Sequence, residues 1–198
     1  PWQISPDSPN VLVLDYCDLS LFGSRSSDIN TWKANWMLWQ MHGFDRPAWD
    51  NAVQFKTRVF DRGPFPGDSG FVADFRFQVE DSTVLQDLEL ALESPELYRI
   101  SLNGEMLSYT EGSRWLDPRI RSVSVGGIAR MGENRLKITG QPFDVRMELE
   151  NIYLRGNFTV IGQIMAGSGN YTLTNAQGLI DGGKIQAGTV GNAQVAPN

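Results

Sequence analysis

Carboxylates are the side chains that could do acid–base chemistry in this chain, and one pair stands out. Glu148 and Glu150 lie two residues apart in the segment 145–154, where apolar residues recur at every second position. Glycosidases cleave a sugar bond between two carboxyl groups that face each other across about 5 to 10 Å. Because residues two apart on a strand point to the same side, this pair is predicted to be a solvated sheet face and not an acid and a base.

The chain has few side chains suited to nucleophilic catalysis or to zinc binding. His42 is the only histidine, and it precedes Gly43 at the end of a predicted helix, where a histidine commonly stabilises the helix C-terminus. Cys17 is the only cysteine and lies within an apolar run, which predicts a buried, inert thiol and excludes an intrachain disulfide. One histidine and one cysteine cannot complete a closed zinc site of nitrogen and sulfur ligands.

Aromatic side chains are the remaining candidates for binding, because an exposed tryptophan or tyrosine can stack on the flat C–H face of a sugar ring. Trp49 and Trp115 fall in or near predicted loops, and Tyr109 ends a predicted hairpin strand. Loops at one end of a sandwich are where binding residues concentrate. These three residues are therefore candidate carbohydrate contacts, and packing in the core or at a corner is the alternative for each of them.

Three further tryptophans lie along one face of a helix predicted over residues 31–43. Trp32, Trp36 and Trp39 follow one another at intervals of four and three residues, which is the spacing of neighbours on a helical face. The stripe favours packing of the helix onto the sheet, or docking against a neighbouring domain. Trp36 and Trp39 are kept as candidate sugar contacts beside that interpretation.

The elements that must position these residues are short strands separated by turns. Asn103-Gly104 interrupts an alternating segment and predicts a tight hairpin, because both residues accept positive φ. Residues 132–134 form a second turn, and residues 20–27 a polar turn region. A β-bulge is predicted near residues 150–151, where the apolar phase shifts. Strands are predicted over residues 11–14, which would be fully buried, and over 53–60, 71–79, 88–92, 98–102, 105–109, 122–125, 135–139 and 145–154.

Many short strands with a single short helix predict an all-β fold, an antiparallel β-sandwich. The sandwich is expected to occupy residues 1–165, since one domain of this length can bury a core. Residues 166–198 are rich in glycine and poor in charge. They are expected to form a loosely ordered segment able to add edge strands to the same domain.

The pattern resembles a known group of domains. The turns at 103–104 and 132–134, with Trp115 between them, resemble the sugar-binding β-sandwich of glycoside hydrolase family 2 enzymes, which belongs to the galactose-binding-like (jelly-roll) group. Similarity to large bacterial proteins related to the α-L-rhamnosidase family 106 group lies in residues 10–17, 49–56 and 149–158. The resemblance covers most of residues 2–160. It implies a jelly-roll domain that binds carbohydrate, while the catalytic residues lie outside this chain.

The resemblance also implies a cofactor, partners and a location. Domains of this group often hold a structural calcium ion through loop carboxylates and backbone carbonyls, and Asp15 and Asp18 are the candidate ligands here. The implied partners are a polysaccharide or oligosaccharide and the catalytic domain of the parent enzyme. A bacterial protein that is secreted, periplasmic or displayed on the cell surface is expected.

Charge and hydropathy exclude two other partners. The net charge is −6 and the basic residues are interleaved with acidic ones, so no basic stripe exists to bind nucleic acid. No apolar run is long enough to span a membrane. The chain opens on Pro1 without an initiator methionine, which suggests a piece of a longer polypeptide.

The predicted function is thus a non-catalytic carbohydrate-binding module. A purely architectural domain that packs against a catalytic domain is the first alternative. An enzyme in its own right is the second, and it would need two opposed carboxylates in a cleft.

Overall fold

The computed structural model describes residues 8–48, 59–109, 114–160, 163–166 and 169–172, the last two ranges by their backbone alone. The chain divides into two compact units, Pro1–Phe158 and Thr159–Asn198. The first unit contains two antiparallel sheets and one short helix, so the predicted antiparallel β-sandwich is confirmed. In the second unit β12 (Gln163–Ala166) pairs antiparallel with β13 (Gly169–Thr172).

The described residues of the first unit form eleven strands in two sheets. The five-stranded sheet has the order β1-β11-β5-β9-β8, formed by β1 (Asn10–Leu14), β11 (Ile152–Gly156), β5 (Glu89–Glu93), β9 (Asp117–Ser124) and β8 (Arg114–Trp115). The six-stranded sheet has the order β3-β2-β4-β10-β6-β7, formed by β3 (Ser24–Asn30), β2 (Tyr16–Leu21), β4 (Phe71–Val79), β10 (Gly132–Gly140), β6 (Arg99–Leu102) and β7 (Glu105–Met106). The helix α1 spans Thr31–Met41. Single turns of 3-10 helix lie at Phe60–Arg62, Ser82–Asp87 and Pro95–Leu97.

The strand pairs are nested along the chain, as in a jelly roll. β6 pairs with β7 at the centre, and outward from it β5 pairs with β9, β4 with β10 and β1 with β11. Every one of these pairs is antiparallel, and successive pairs alternate between the two sheets. The hairpin of β2 and β3, followed by α1, is an insertion between β1 and β4 that widens the six-stranded sheet. The nested order is the double Greek-key pattern of jelly rolls.

The core lies between the two sheets and follows the alternation of their strands. β4 directs Phe71, Ala73, Phe75, Phe77 and Val79 inward, so five of its nine residues are buried. The core residues of the facing sheet include Leu90, Leu92, Ile152 and Leu154. Burial of this apolar surface is the main stabilising contribution to the sandwich.

The helix and the hairpin turn were both predicted correctly. The Asn30 side chain caps α1 by accepting a hydrogen bond from the Trp32 amide at 3.0 Å, and Gly43 leaves the helix with φ +81°. At the turn between β6 and β7, Asn103 and Gly104 have φ +53° and +90°, as a two-residue turn of this kind requires. β7 is shorter than the predicted strand over residues 105–109.

The predicted strand over residues 145–154, with its bulge, is wrong for its first part. Only β11 is a strand, and residues 145–151 are a turn and irregular backbone. The Asp144 side chain accepts the Arg146 amide at 2.9 Å, which starts a turn that competes with strand pairing. The amides that follow are bonded by side chains, since the Tyr98 hydroxyl accepts from Glu148 and the Asn35 amide oxygen accepts from Leu149.

Two predictions at the start of the chain are also wrong. β1 was expected to be fully buried, but it lies at the edge of its sheet and Val13 is 41% exposed. Residues 20–27 were expected to be a turn region, whereas the chain forms the β2–β3 hairpin through Phe22 and Gly23. β3 is polar because it is an edge strand with a largely exposed surface, which a search for apolar alternation cannot detect. The predicted strand over 53–60 lies almost entirely outside the described residues.

Candidate functional site

The structure distributes the predicted aromatic residues over several places. Trp39 is a core residue with no exposed surface, and Trp36 is half-buried with its indole nitrogen sealed from solvent. Tyr109 is half-buried on the chain that follows β7. Trp115 lies in β8 at the edge of the five-stranded sheet, and Trp49 lies outside the described residues. Trp39 cannot contact a ligand in this fold, because tight packing at the helix–sheet contact encloses its ring.

Trp115 is the predicted residue that the fold places in a group able to bind. Its ring contacts Tyr153 of β11 edge to face, with 5.3 Å between centroids and planes at 65°. The Arg155 guanidinium lies over the Trp115 ring, 4.6 Å from the centroid. Tyr153 and Arg155 alternate with Ile152 and Leu154, which point into the core, so both face outward. The three side chains therefore form an aromatic and cationic surface on the outer face of the sheet.

Polar side chains from neighbouring strands adjoin this surface. Arg155 Nη1 lies 2.8 Å from Glu89 Oε2, and the Ser122 hydroxyl donates to the same carboxylate oxygen at 2.7 Å. Glu89 is opposite Arg155 in the register of β5 and β11, which places the pair on one face. We call these five residues, Trp115, Tyr153, Arg155, Glu89 and Ser122, the Trp115 platform. It offers aromatic rings, a guanidinium and a carboxylate, groups that bind the faces and hydroxyls of sugars, while the buried Ser122 hydroxyl holds Glu89 in place.

Tyr109 lines a separate cavity. Its hydroxyl is buried and has no hydrogen-bond partner among the described residues. Burial raises the pKa of this phenol, so it stays protonated. The cavity, of about 380 Å³, is also lined by Leu107 and Arg121. The structure does not bring Tyr109 into the Trp115 platform.

The carboxylates Glu148 and Glu150 do not form the predicted sheet face. They line one cavity of about 250 Å³ together with Glu93 of β5 and Tyr98. Partial burial raises the pKa of Glu150, and the nearby Glu93 raises it further. The prediction failed because the segment leaves the sheet, as described above for residues 145–151. Nothing in the sequence indicated that Glu93, which is distant along the chain, would lie near Glu148 and Glu150.

Asp18 is held by cationic side chains. Its Oδ2 accepts from Arg25 at 2.9 Å, and its Oδ1 accepts from the Asp28 amide at 2.9 Å and from Arg76 at 3.4 Å. The Asp28 amide, followed by Arg25, lowers the pKa of this carboxyl. Two guanidinium groups beside a carboxylate do not fit a calcium ligand. Asp15 is half-buried at the junction of β1 and β2, and no group of three metal-ligating side chains occurs in the described part of the chain. Calcium binding stays a prediction.

His42 and Cys17 are packed in the fold. The Leu38 carbonyl oxygen lies 2.7 Å from His42 Nδ1, and the Gly70 amide donates to Nε2 at 3.0 Å. The ring also stacks on Phe143 at 4.1 Å. Burial raises the pKa of the Cys17 thiol to about 12, with Asp18 as the next contribution, so no reactive thiolate forms there.

Comparisons with known proteins give distant structural similarity alone. No protein-family model matches the chain, and no curated protein does. Among solved structures, a β-glucuronidase from an uncultured Clostridium sp. is similar, with a TM-score of 0.41 and 13% sequence identity. The similarity covers 84% of this chain and 33% of the β-glucuronidase chain, so this chain spans about a third of that protein's length. Similarity at this level assigns neither a family nor an activity.

Sequence reasoning missed four of the five platform residues. A signal for two of them was present, because the alternation of Ile152 and Leu154 with Tyr153 and Arg155 places an aromatic and a basic side chain on the outer face. Glu89 and Ser122 become neighbours only through the register of β5 with its partners.

No helix among the described residues is long and apolar enough to cross a membrane.

Proposed function

We propose that this chain is a non-catalytic carbohydrate-binding module of a secreted multidomain glycoside hydrolase, and that it binds glycans on the Trp115 platform. The observation that carries the proposal is the position of Trp115, Tyr153 and Arg155 on the outer face of a rigid sheet. Sites on strands hold their side chains more firmly than sites on loops. A binding module serves its enzyme by raising the local substrate concentration.

Binding would combine stacking with hydrogen bonds. The half-buried Trp115 ring offers part of its surface to the C–H groups of a sugar, while Tyr153 and Arg155 fix its orientation. The carboxylate of Glu89 keeps accepting capacity beyond its bonds to Arg155 and Ser122, since each carboxylate oxygen has two lone pairs. Sugar hydroxyls can then donate to Glu89 and accept from the guanidinium.

Isothermal titration of the purified chain against a panel of plant and bacterial polysaccharides tests this proposal. We expect saturable binding of at least one glycan and a loss of at least tenfold in affinity in Trp115→Ala. Met106→Ala serves as a matched control, because Met106 is exposed on β7 of the other sheet. Binding that is equally strong in both variants would contradict the platform, and no binding across the panel would contradict the carbohydrate function.

An architectural domain is the second candidate, and the surface around α1 is the observation that favours it. Four large apolar side chains on α1 and on the β2–β3 hairpin are about half exposed: Trp32, Met41, Tyr16 and Phe22. Apolar side chains of this kind can pack against a catalytic domain. Under this alternative no glycan in the panel binds, and the chain associates with the catalytic domain of its parent enzyme.

A further inference from the structure

A third cavity lies beside the N-terminus of α1, within the first compact unit. It measures about 310 Å³ and is lined by α1, by the residue preceding it and by the irregular segment before β11. Asn35, Leu149, Glu150 and Asn151 contribute to its wall, and Trp32 lies at its side. This volume is within the range of small-molecule sites. The cavity shares no lining residue with the Trp115 platform.

Trp32 supplies an open aromatic surface to this cavity. Its side chain is 58% exposed, although it begins a helix whose other face is buried. Among the described aromatic residues its ring contacts Trp36, with 5.8 Å between centroids and a tilt of 50°. The face of a tryptophan ring attracts both C–H groups and cations. A ligand in the cavity can therefore lie against this ring.

Two amide side chains complete the polar wall. Asn35 is only 2% exposed, and its Oδ1 accepts the Leu149 amide at 2.9 Å. Asn151 Oδ1 accepts the Thr31 hydroxyl. Both oxygens are used within the fold, whereas the two Nδ2 groups have no hydrogen-bond partner among the described residues. Neither Nδ2 belongs to the buried side-chain atoms that lack a partner, so both remain accessible and can donate to a ligand oxygen.

Glu150 is the charged residue of this wall. Its carboxylate makes no ion pair or hydrogen bond within the described part of the chain. Partial burial and the negative charge of Glu93 both disfavour its ionised form and raise its pKa. A carboxylate in that situation gains from a cationic partner. Glu150 also borders the cavity of about 250 Å³, which Arg119 and Arg146 line, but no basic side chain lines the cavity beside α1.

We propose that this cavity binds an amino-sugar residue of a glycan, with the ammonium group between the Glu150 carboxylate and the Trp32 ring. The amides of Asn35 and Asn151 donate to ring hydroxyl oxygens. A uronic acid is disfavoured at this position, because its carboxylate would meet Glu150. The inference rests on the proposed function only in taking the ligand to be a glycan, and it assigns a different site and a different sugar chemistry.

Isothermal titration at pH 6 with two oligosaccharides of equal length tests the assignment. One is a glucosamine hexamer, whose amines are protonated, and the other is its fully N-acetylated counterpart, which is neutral. We expect the glucosamine hexamer to bind at least tenfold more tightly than the acetylated one. Glu150→Gln and Trp32→Ala should each weaken binding of the glucosamine hexamer at least tenfold. Glu105→Gln is the matched control, because it removes an exposed carboxylate from β7 and should leave binding unchanged.

Two results would overturn the assignment. Equal affinity for both hexamers would exclude recognition of the amine, and unchanged binding in Glu150→Gln with folding verified by circular dichroism would exclude the cavity. Trp115→Ala separates this proposal from the previous one. If Trp115→Ala abolishes polysaccharide binding and Trp32→Ala abolishes only the binding of the glucosamine hexamer, both the Trp115 platform and the cavity beside α1 are supported. If Trp32→Ala alone has any effect on binding, the Trp115 platform fails and the cavity stands.

Discussion

His42 is held in one neutral form by the groups around it. Gly70 donates to Nε2, so that nitrogen is unprotonated, and the other ring nitrogen donates to the Leu38 carbonyl. Burial lowers the pKa of His42 below its usual 6.5, which outweighs the opposite effect of the Leu38 carbonyl. A second proton would break the bond from Gly70. The histidine thus joins the end of α1 to the turn before β4.

The stability of the protein should depend on pH through His42. The unfolded chain binds a proton near pH 6.5 and the folded chain only at lower pH, so stability is full above pH 6.5 and falls as the pH drops below it. In His42→Gln this dependence should disappear, and stability at pH 7.5 should fall by about 1 to 3 kcal/mol because buried partners lose hydrogen bonds. Urea unfolding between pH 5 and 8 measures both effects. If the free energy of unfolding depends on pH identically in the wild type and in His42→Gln, this role of His42 is contradicted.

Asp18 has the opposite pH dependence. Its pKa is lowered in the folded state, so its contribution is present above the ordinary value of 3.8 and is lost as the pH falls through the folded value. Asp18→Asn should cost about 1 to 2 kcal/mol at pH 7, because charged partners lose their hydrogen bonds. Thermal unfolding at pH 7 and pH 3, with and without a calcium chelator, checks the prediction. If Asp18→Asn lowers the thermal stability only in the absence of chelator, Asp18 stabilises the protein by binding calcium and not by pairing with Arg25 and Arg76.

At the scale of elements, two asparagines join the β6–β7 hairpin to the start of β10. Asn103 Nδ2 donates to Asn134 Oδ1 at 2.9 Å and to the Ile128 carbonyl at 3.0 Å, and Asn103 Oδ1 accepts the Arg135 amide. Asn134 has no exposed surface, and it also bonds the backbone of Arg130 in both directions. The Asn-Gly and Gly-x-Asn pattern of the sequence is therefore one buried polar network.

A double-mutant cycle should reveal the coupling in this network. Asn134→Ala leaves several buried backbone groups unpaired and should cost about 3 kcal/mol or more, and Asn103→Ala about 1 to 3 kcal/mol. The double variant should lose less than the sum, since each single change already breaks the bond between the two side chains. Chemical denaturation of the four proteins gives the coupling energy. Strict additivity would show that the two asparagines act independently.

The elements that could be predicted are those whose pattern is local. β4 alternates cleanly, the turn of the β6–β7 hairpin needs positive φ, and α1 has a helical spacing, so each was recognisable from the sequence. The β3 strand was missed because an edge strand can be polar. Residues 145–151 were misassigned because Tyr98 and Asn35, distant in sequence, satisfy their amides.

Exposure of the tryptophans was the least predictable property. Trp32, Trp36 and Trp39 lie within a narrow arc of α1, yet Trp32 is 58% exposed, Trp36 is half-buried and Trp39 is fully buried. The buried side of the helix centres on Thr31, Ala34, Asn35, Leu38 and Trp39, so Trp39 borders the sheet and the other two lie beyond the contact. Only the position of the helix on the sheet decides this. For that reason Trp39, a candidate sugar contact from the sequence, is enclosed in the core, while Trp32, which was not a candidate, is the most exposed of the three.

At the scale of the whole first unit, the two proposed sites occupy different parts of one sandwich. The Trp115 platform lies on the outer face of the five-stranded sheet, and the Trp32 cavity lies where α1 meets the segment before β11. A module with two sites can hold one glycan chain at two points or two chains at once, which increases avidity without new contacts. The fold supports such surfaces because its core is independent of them.

The most direct test of the central claim is a titration followed by NMR of the six tryptophan indole N–H groups. Each signal can be assigned by single Trp→Phe substitution, and Trp39 serves as an internal reference because it is fully buried. With a glycan from the panel, we predict a saturable shift of the Trp115 signal while the Trp39 signal stays unchanged. A glycan that binds without moving the Trp115 signal would contradict the account.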